Sequence, residues 1–169
     1  MSDFYQNGII TNFHNLKTRD LDELEKELTF FSKQRPMSLV SPSLFSELEG
    51  PALAGIVDEL KLVPYLSEIV IGLDRADEAQ FKHAQEFFSV LPQHHRILWN
   101  DGPRLRALDN LLKEKDLAPT EMGKGRNVWY CYGYVLASGK ASSVALHDCD
   151  ITTYHREMLA RLIYPVANP

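Results

Sequence analysis

The chain has 169 residues, 44% of them hydrophobic and 24% charged, which is enough for one core and too little for two comfortable domains. A net charge of -5 with no block of basic residues argues against a general nucleic-acid binder, which needs a positive footprint to neutralise phosphates. The two cysteines, Cys131 and Cys149, make neither a disulfide framework nor a zinc-type array, so a reducing cytoplasm fits, and no window approaches the roughly 18 apolar residues of a membrane span.

The N-terminal MSDFYQNGIITNFHNL carries an acid at Asp3 and no unbroken apolar run, unlike a secretory signal. Residues 18–34 read as an amphipathic helix: Leu21, Leu24, Leu28 and Phe31 recur at three- and four-residue spacing, Thr18 or Asp20 can cap it, and Arg35-Pro36 stops it. The segment 1–36 is therefore expected to pack its apolar stripe on a core built by 37–169. From there strands and helices alternate. MSLVS (37–41) is a strand, residues 49–63 a helix with Pro51 in its first turn, SEIVIGLD (67–74) a strand, and residues 76–91 a helix. HRILWN (95–100) is a third strand. After the turn signal Asn100-Asp101-Gly102-Pro103 come helices over 104–116 and around 126–138, and SSVALHD (142–148) is a fourth strand. The last residues, LARLIYPVANP, show no obvious closing element. Strands alternating with helices of ten or more residues imply right-handed crossovers, hence an α/β fold with a Rossmann-like, mostly parallel sheet flanked by helices.

In such a sheet ligands collect beyond the carboxyl ends of the strands, where loops and helix N-termini converge. Three strand endings carry polar chemistry. The first runs into Ser41-Pro42-Ser43, the second into Asp74-Arg75, and the fourth into His147-Asp148-Cys149-Asp150. Residues i and i+2 of an extended chain share a side, so Asp148 and Asp150 can converge while His147 and Cys149 face away. Two hard carboxylates suit Mg²⁺ or Mn²⁺, which keep several waters and draw their remaining ligands from substrate phosphates. A turn cap at Asp148 beside a solvated Asp150 accounts equally well for the spacing alone. DCDIT also fits the D-x-D-x-T opening of haloacid-dehalogenase-like phosphatases, but those enzymes need a downstream Lys and further acids, and residues 151–169 hold no Lys and a single acid, Glu157. A two-metal His/Asp site is disfavoured because no two of the six histidines stand at i, i+4; His155 is the one nearest the acids.

EMGKGRN is not a P-loop, since Ala118 stands where the first glycine of that frame belongs. Gly123 and Gly125 flanking Lys124 just before a helix nevertheless outline an anion site, a point charge beside exposed N–H groups. In SPSLFSELEG, Ser43, Ser46, Glu47 and Glu49 can address a ribose or base edge, with capping of the next helix by Ser46 or Glu49 as the competing role.

This order of motifs, an apolar strand into Pro, a strand ending in Asp, Gly-Lys-Gly, then an apolar strand into D-x-D, resembles the nucleotide-sugar half of GT-A fold glycosyltransferases. It is most similar to the retaining glucosyl-3-phosphoglycerate synthase and mannosylglycerate synthase kind, over about residues 37–155. The resemblance implies that Pro42, Ser43 and Leu44 bind the nucleoside with Glu47 as the accompanying acid, or Glu49, because FSELEG departs from the usual Asn-Glu-Glu. It implies that Asp74 lies near the base, although RADE replaces the usual Ser-Gly-Ser, and that Gly123, Lys124 and Gly125 meet the donor through Lys124. Asp150 would ligate the metal and Asp148 the metal or the ribose, so that Asp148, Asp150 and Lys124 carry the chemistry. The expected activity is metal-dependent transfer of a hexose from a nucleotide diphosphate sugar, with UDP-glucose expected, to a small hydroxylated acceptor such as a glycerate derivative. The alternative is a non-catalytic nucleotide-binding or assembly domain of the same fold. Relatives of this kind continue into an acceptor-binding half, so the resemblance further implies that the chain is a piece of a longer protein. No nucleic acid partner is expected, and a homo-oligomer is compatible with the sequence.

Overall fold

The computed structural model describes residues 19–168. The elements in chain order are α1 (Leu21–Phe31), β1 (Met37–Leu44), a 3₁₀ turn (Phe45–Glu49), α2 (Pro51–Leu60), β2 (Leu66–Asp74), α3 (Glu78–Phe88), β3 (His95–Trp99), α4 (Pro103–Lys113), α5 (Lys124–Ser138), β4 (Ser143–Leu146) and α6 (Arg156–Ala167). The four strands form one sheet in the order β3-β2-β1-β4, and every pairing is parallel. The expected α/β architecture is present, and the order places a topological switch between β1 and β4: the chain winds outward through β2 and β3, then returns to the other side of β1.

Side-chain parity along the strands sorts the core into two layers. Met37, Leu39, Ile69, Ile71, Leu73 and Ala145 face a large cluster that includes Leu28 of α1, Leu53 and Ile56 of α2, Phe88 of α3 and Leu159 and Ile163 of α6. Val40 and Val70 face the opposite way, toward Cys131 and Val135 of α5. The central strands are buried on both faces, which is why they read as continuous apolar runs rather than as alternation. β3, at the rim, keeps its apolar residues only partly covered.

Three expectations need correction. The tail does close the fold: α6 runs from Arg156 to Ala167, with Leu159, Ala160, Ile163 and Ala167 buried at helical spacing. Pro165 obscures that pattern, yet it sits in the last turn, where the one backbone bond it deletes matters least. Arg156 ties the start of α6 to two helices at once, with Glu25 of α1 at 3.3 Å and Glu59 of α2 at 3.7 Å. β1 is also longer than the five residues expected, with Pro42 inside it and not at its exit. Finally, neither Ser46 nor Glu49 caps α2, whose N-cap is Gly50 without a side-chain bond. The cap belongs one turn earlier, where the Glu47 carboxylate accepts the Leu44 N–H at 3.0 Å and closes the 3₁₀ turn. Asp20 is the N-cap residue of α1, without a side-chain bond, while Thr18 lies outside the described residues.

Candidate functional site

Pro42 shapes the carboxyl edge of the sheet. The β1–β4 register ends at Val40↔Leu146, and the last bond across it runs from the His147 N–H to the Val40 carbonyl at 3.1 Å. Even-numbered residues of β1 thus direct their backbone groups toward β4. The next rung would need an N–H from residue 42, which proline lacks. On its other side β1 stays paired with β2 as far as Leu44↔Asp74. β4 therefore stops pairing with β1 while β1 continues, and this happens at the switch point, where open α/β sheets bind ligands.

The acid pair follows the end of β4 at this switch point. β4 ends at Leu146, so Asp148 and Asp150 lie beyond the strand, with Cys149 and Asp150 in a turn. The period of two survives the end of the ladder. Ser143, Ala145, His147 and Cys149 are buried, while Val144, Leu146 and Asp148 are half-buried and Asp150 is exposed. Asp148 shares the parity of Val144 and Leu146, which pack on the α5 side of the sheet, while Asp150 lies in the turn beyond. There Asp148 meets α5: the Lys124 ammonium is 2.5 Å from its Oδ1.

The start of α5 is placed by its neighbours. Gly123 precedes it at φ 136°, a backbone region open in practice only to glycine. One turn into the helix, the buried Asn127 donates its Nδ2 to the Gly72 carbonyl at 2.7 Å. Gly72 is the register partner of Pro42, and a Cβ there would stand 1.8 Å from Asn127 Oδ1, so the helix seats against bare backbone. A second fastening comes from α4, whose Asp109 bonds Tyr130 of α5 and lies 2.7 Å from Lys113 and 3.6 Å from Arg126. Its carboxyl is held below the usual range, first by the Lys113 contact and then by the Tyr130 hydroxyl.

The structure therefore brings Pro42, Asp74, Lys124 and Asp148 to one face of the carboxyl edge, with Asp150 in the turn beyond. Asp74 closes β2 in a buried position, and its carboxylate accepts the N–H of Arg75, which is held at φ 57°. Leu44, its register partner, has the parity of Pro42. Ser43 and Glu47 belong to the other face. Ser43 is buried and donates its hydroxyl to the Leu44 carbonyl, while Glu47 is engaged by the Leu44 N–H. Cys149 sits beside both, its thiol pushed up to about 12 by burial. Gly125 lies in the first turn of α5 with no atom within 4 Å of where its Cβ would be.

Asn127 and Gly72 escaped sequence reasoning because an Asn in a helix and a Gly in a strand announce no partnership until the two elements are superposed. Behind the acids, His147 is buried against Tyr154, whose hydroxyl is 3.0 Å from its Nδ1, and burial lowers its pKa to about 4. His155 is instead the N-cap of α6, accepting the Glu157 N–H at 3.2 Å. A cavity of about 880 Å³ lies along the opposite rim of the sheet between β3 and α4 and touches neither Lys124 nor Asp148. A smaller open one, about 390 Å³, surrounds the Gly-Lys-Gly turn. Among the described residues no three His, Cys, Asp or Glu side chains cluster as a complete metal cage, and no helix is long and apolar enough to cross a membrane.

No protein-family model matches the chain. Two curated relatives do. It is 48% identical over 169 residues to a glucosyl-3-phosphoglycerate synthase of Persephonella marina, covering 100% of this chain and 42% of that protein. It is 36% identical over 165 residues to a glucosyl-3-phosphoglycerate synthase of Methanococcoides burtonii, covering 97% of this chain and 40% of the relative. The kinship implied by the order of the motifs is thus shown across essentially the whole chain, which spans about two fifths of the length of the relatives it matches.

Proposed function

We propose that this chain forms the donor-binding part of a glycosyltransferase that moves glucose from a nucleotide diphosphate sugar, UDP-glucose, to 3-phosphoglycerate in the cytoplasm. The observation that carries the reading is the pairing of Lys124 with Asp148 at the switch point of the sheet, where Pro42 ends the β1–β4 ladder. An ammonium at a helix N-terminus facing a carboxylate suits a ligand that brings both phosphate and a cation. The relatives' name supplies the sugar and the acceptor.

The residues present fit a divalent cation. Asp148 already offers an oxygen to a positive group, and Asp150 follows two residues on, exposed in the turn. A set of only two carboxylates is what Mg²⁺ takes when water and substrate phosphates complete its octahedron. Bound there with the donor, the ion would supply Lewis-acid and electrostatic compensation for the departing nucleoside diphosphate. The other roles belong to the protein. Lys124 and the N–H groups of the first turn of α5 hold phosphate oxygens, Asp74 faces the nucleoside, and Asn127 and Asp109 keep α5 seated while charge develops.

The test is titration of UDP into the purified chain with and without Mn²⁺, by calorimetry. Binding that needs the metal and vanishes in Asp150→Ala is expected; equal affinity in both conditions refutes the acid pair. A second reading, a donor-binding piece without turnover of its own, is favoured by the length of the relatives. Assay of this chain beside a longer natural form, with labelled UDP-glucose and 3-phosphoglycerate, separates the two.

A further inference from the structure

We infer that Lys124 is the resident counter-ion of Asp148, and that it must leave for a divalent cation to be held there, so that cation and nucleoside diphosphate enter the site together. The inference rests on the donor-site reading above and adds a binding order to it.

The side chain of Asp148 is 38% exposed, yet its Oδ1 is closed to solvent, and the ammonium of Lys124 stands 2.5 Å away. A Mg²⁺ ion binds a carboxylate oxygen at about 2.0–2.1 Å. The ammonium thus occupies the approach to Oδ1 that the ion would take, and two cations on one oxygen repel strongly at such range. Without ligand, the carboxylate is compensated by the chain's own lysine, and a free cation gains little by displacing it.

The displacement needs only a side chain to move. Lys124 is the first residue of α5 and its side chain is 58% exposed, while the helix behind it is fixed through Asn127 to Gly72 and through Tyr130 to Asp109. A diphosphate reaching the helix N-terminus offers that ammonium more negative charge than one carboxylate does, and draws it away. Asp148 is then uncompensated beside a second anion, and its affinity for a divalent cation rises. By linkage the same factor tightens the diphosphate when the cation is bound.

The experiment measures Mn²⁺ affinity of the full chain by electron paramagnetic resonance, with and without saturating UDP, in the wild type, Lys124→Met and Asp148→Asn. An exposed ion pair contributes up to about 1 kcal/mol, equivalent to roughly fivefold in affinity. Lys124→Met should therefore bind Mn²⁺ alone about fivefold tighter than the wild type, bind UDP more weakly, and lose most of the mutual enhancement between the two. Both variants change a partly exposed side chain, and thermal melting confirms that they fold. Unchanged or weaker Mn²⁺ binding by Lys124→Met, while Asp148→Asn abolishes the enhancement, overturns the exchange and leaves the donor site standing. Enhancement that survives in Asp148→Asn, or no Mn²⁺ binding by any form with or without UDP, overturns the donor-site reading together with the exchange.

Discussion

Replacing Gly72 by alanine tests how α5, and with it Lys124, is seated. The new methyl carbon would meet Asn127 Oδ1 at 1.8 Å and Cys131 Sγ at 2.6 Å. An ordinary contact is about 3.5 Å, so one partner must retreat by about 1.7 Å. β2 is fixed by neighbours on both sides, so the retreat falls on α5. Overpacking of this kind costs about 1–3 kcal/mol, and tearing Asn127 from the Gly72 carbonyl strands a buried amide at about another 1–3 kcal/mol. The loss should be about 2–6 kcal/mol, a sizeable part of a domain's usual 5–15 kcal/mol. Urea denaturation of Gly72→Ala, Asn127→Ala and the double variant measures it. Asn127→Ala alone should cost about 1–2 kcal/mol for its hydrogen bond. In the double variant the clash with Asn127 is gone and only the Cys131 Sγ contact remains, so the total should fall short of the sum by at least about 1 kcal/mol, as expected of residues in contact. A Gly72→Ala loss below about 1 kcal/mol, or strict additivity, would refute this account of the helix seat.

Three further outcomes follow from the same geometry. Pro42→Ala restores the N–H that the next β1–β4 rung lacks, so it should leave stability equal or higher by urea titration while weakening UDP in calorimetry; undiminished UDP affinity contradicts a donor site that depends on the early end of this ladder. Gly125→Ala meets nothing within 4 Å and should stabilise α5 by up to about 1 kcal/mol in thermal melts, yet weaken UDP if a phosphate approaches that backbone. His147 has a folded pKa lowered from 6.5 to about 4 by burial, so the unfolded chain binds the extra proton first. Its contribution is fully present above about pH 6.5 and fades as the pH falls toward 4, amounting to at most about 3 kcal/mol. Denaturation midpoints of wild type and His147→Gln should therefore diverge above pH 6.5 and converge below 4; parallel curves would show that burial does not hold this imidazole neutral.

The sequence by itself determined the alternation of strands and helices, the parallel sheet, and which strand ends carry chemistry, because each of these is written in spacing a few residues long. Buried central strands read as apolar runs, and Pro51, Gly102 and Pro103 mark helix starts by local backbone constraint. Tertiary structure decided what depends on which residues meet. Only the register showed that the missing N–H of Pro42 points at β4 and not β2, which makes this residue the one that ends the β1–β4 ladder. Only packing showed that Asp148 closes on Lys124, 24 positions earlier in the chain, and that Ser43 and Glu47 turn to the far face. Asn127 and Gly72 stand 55 residues apart. A contact across that distance leaves no periodicity in the chain, because it depends on how a helix is laid against a sheet.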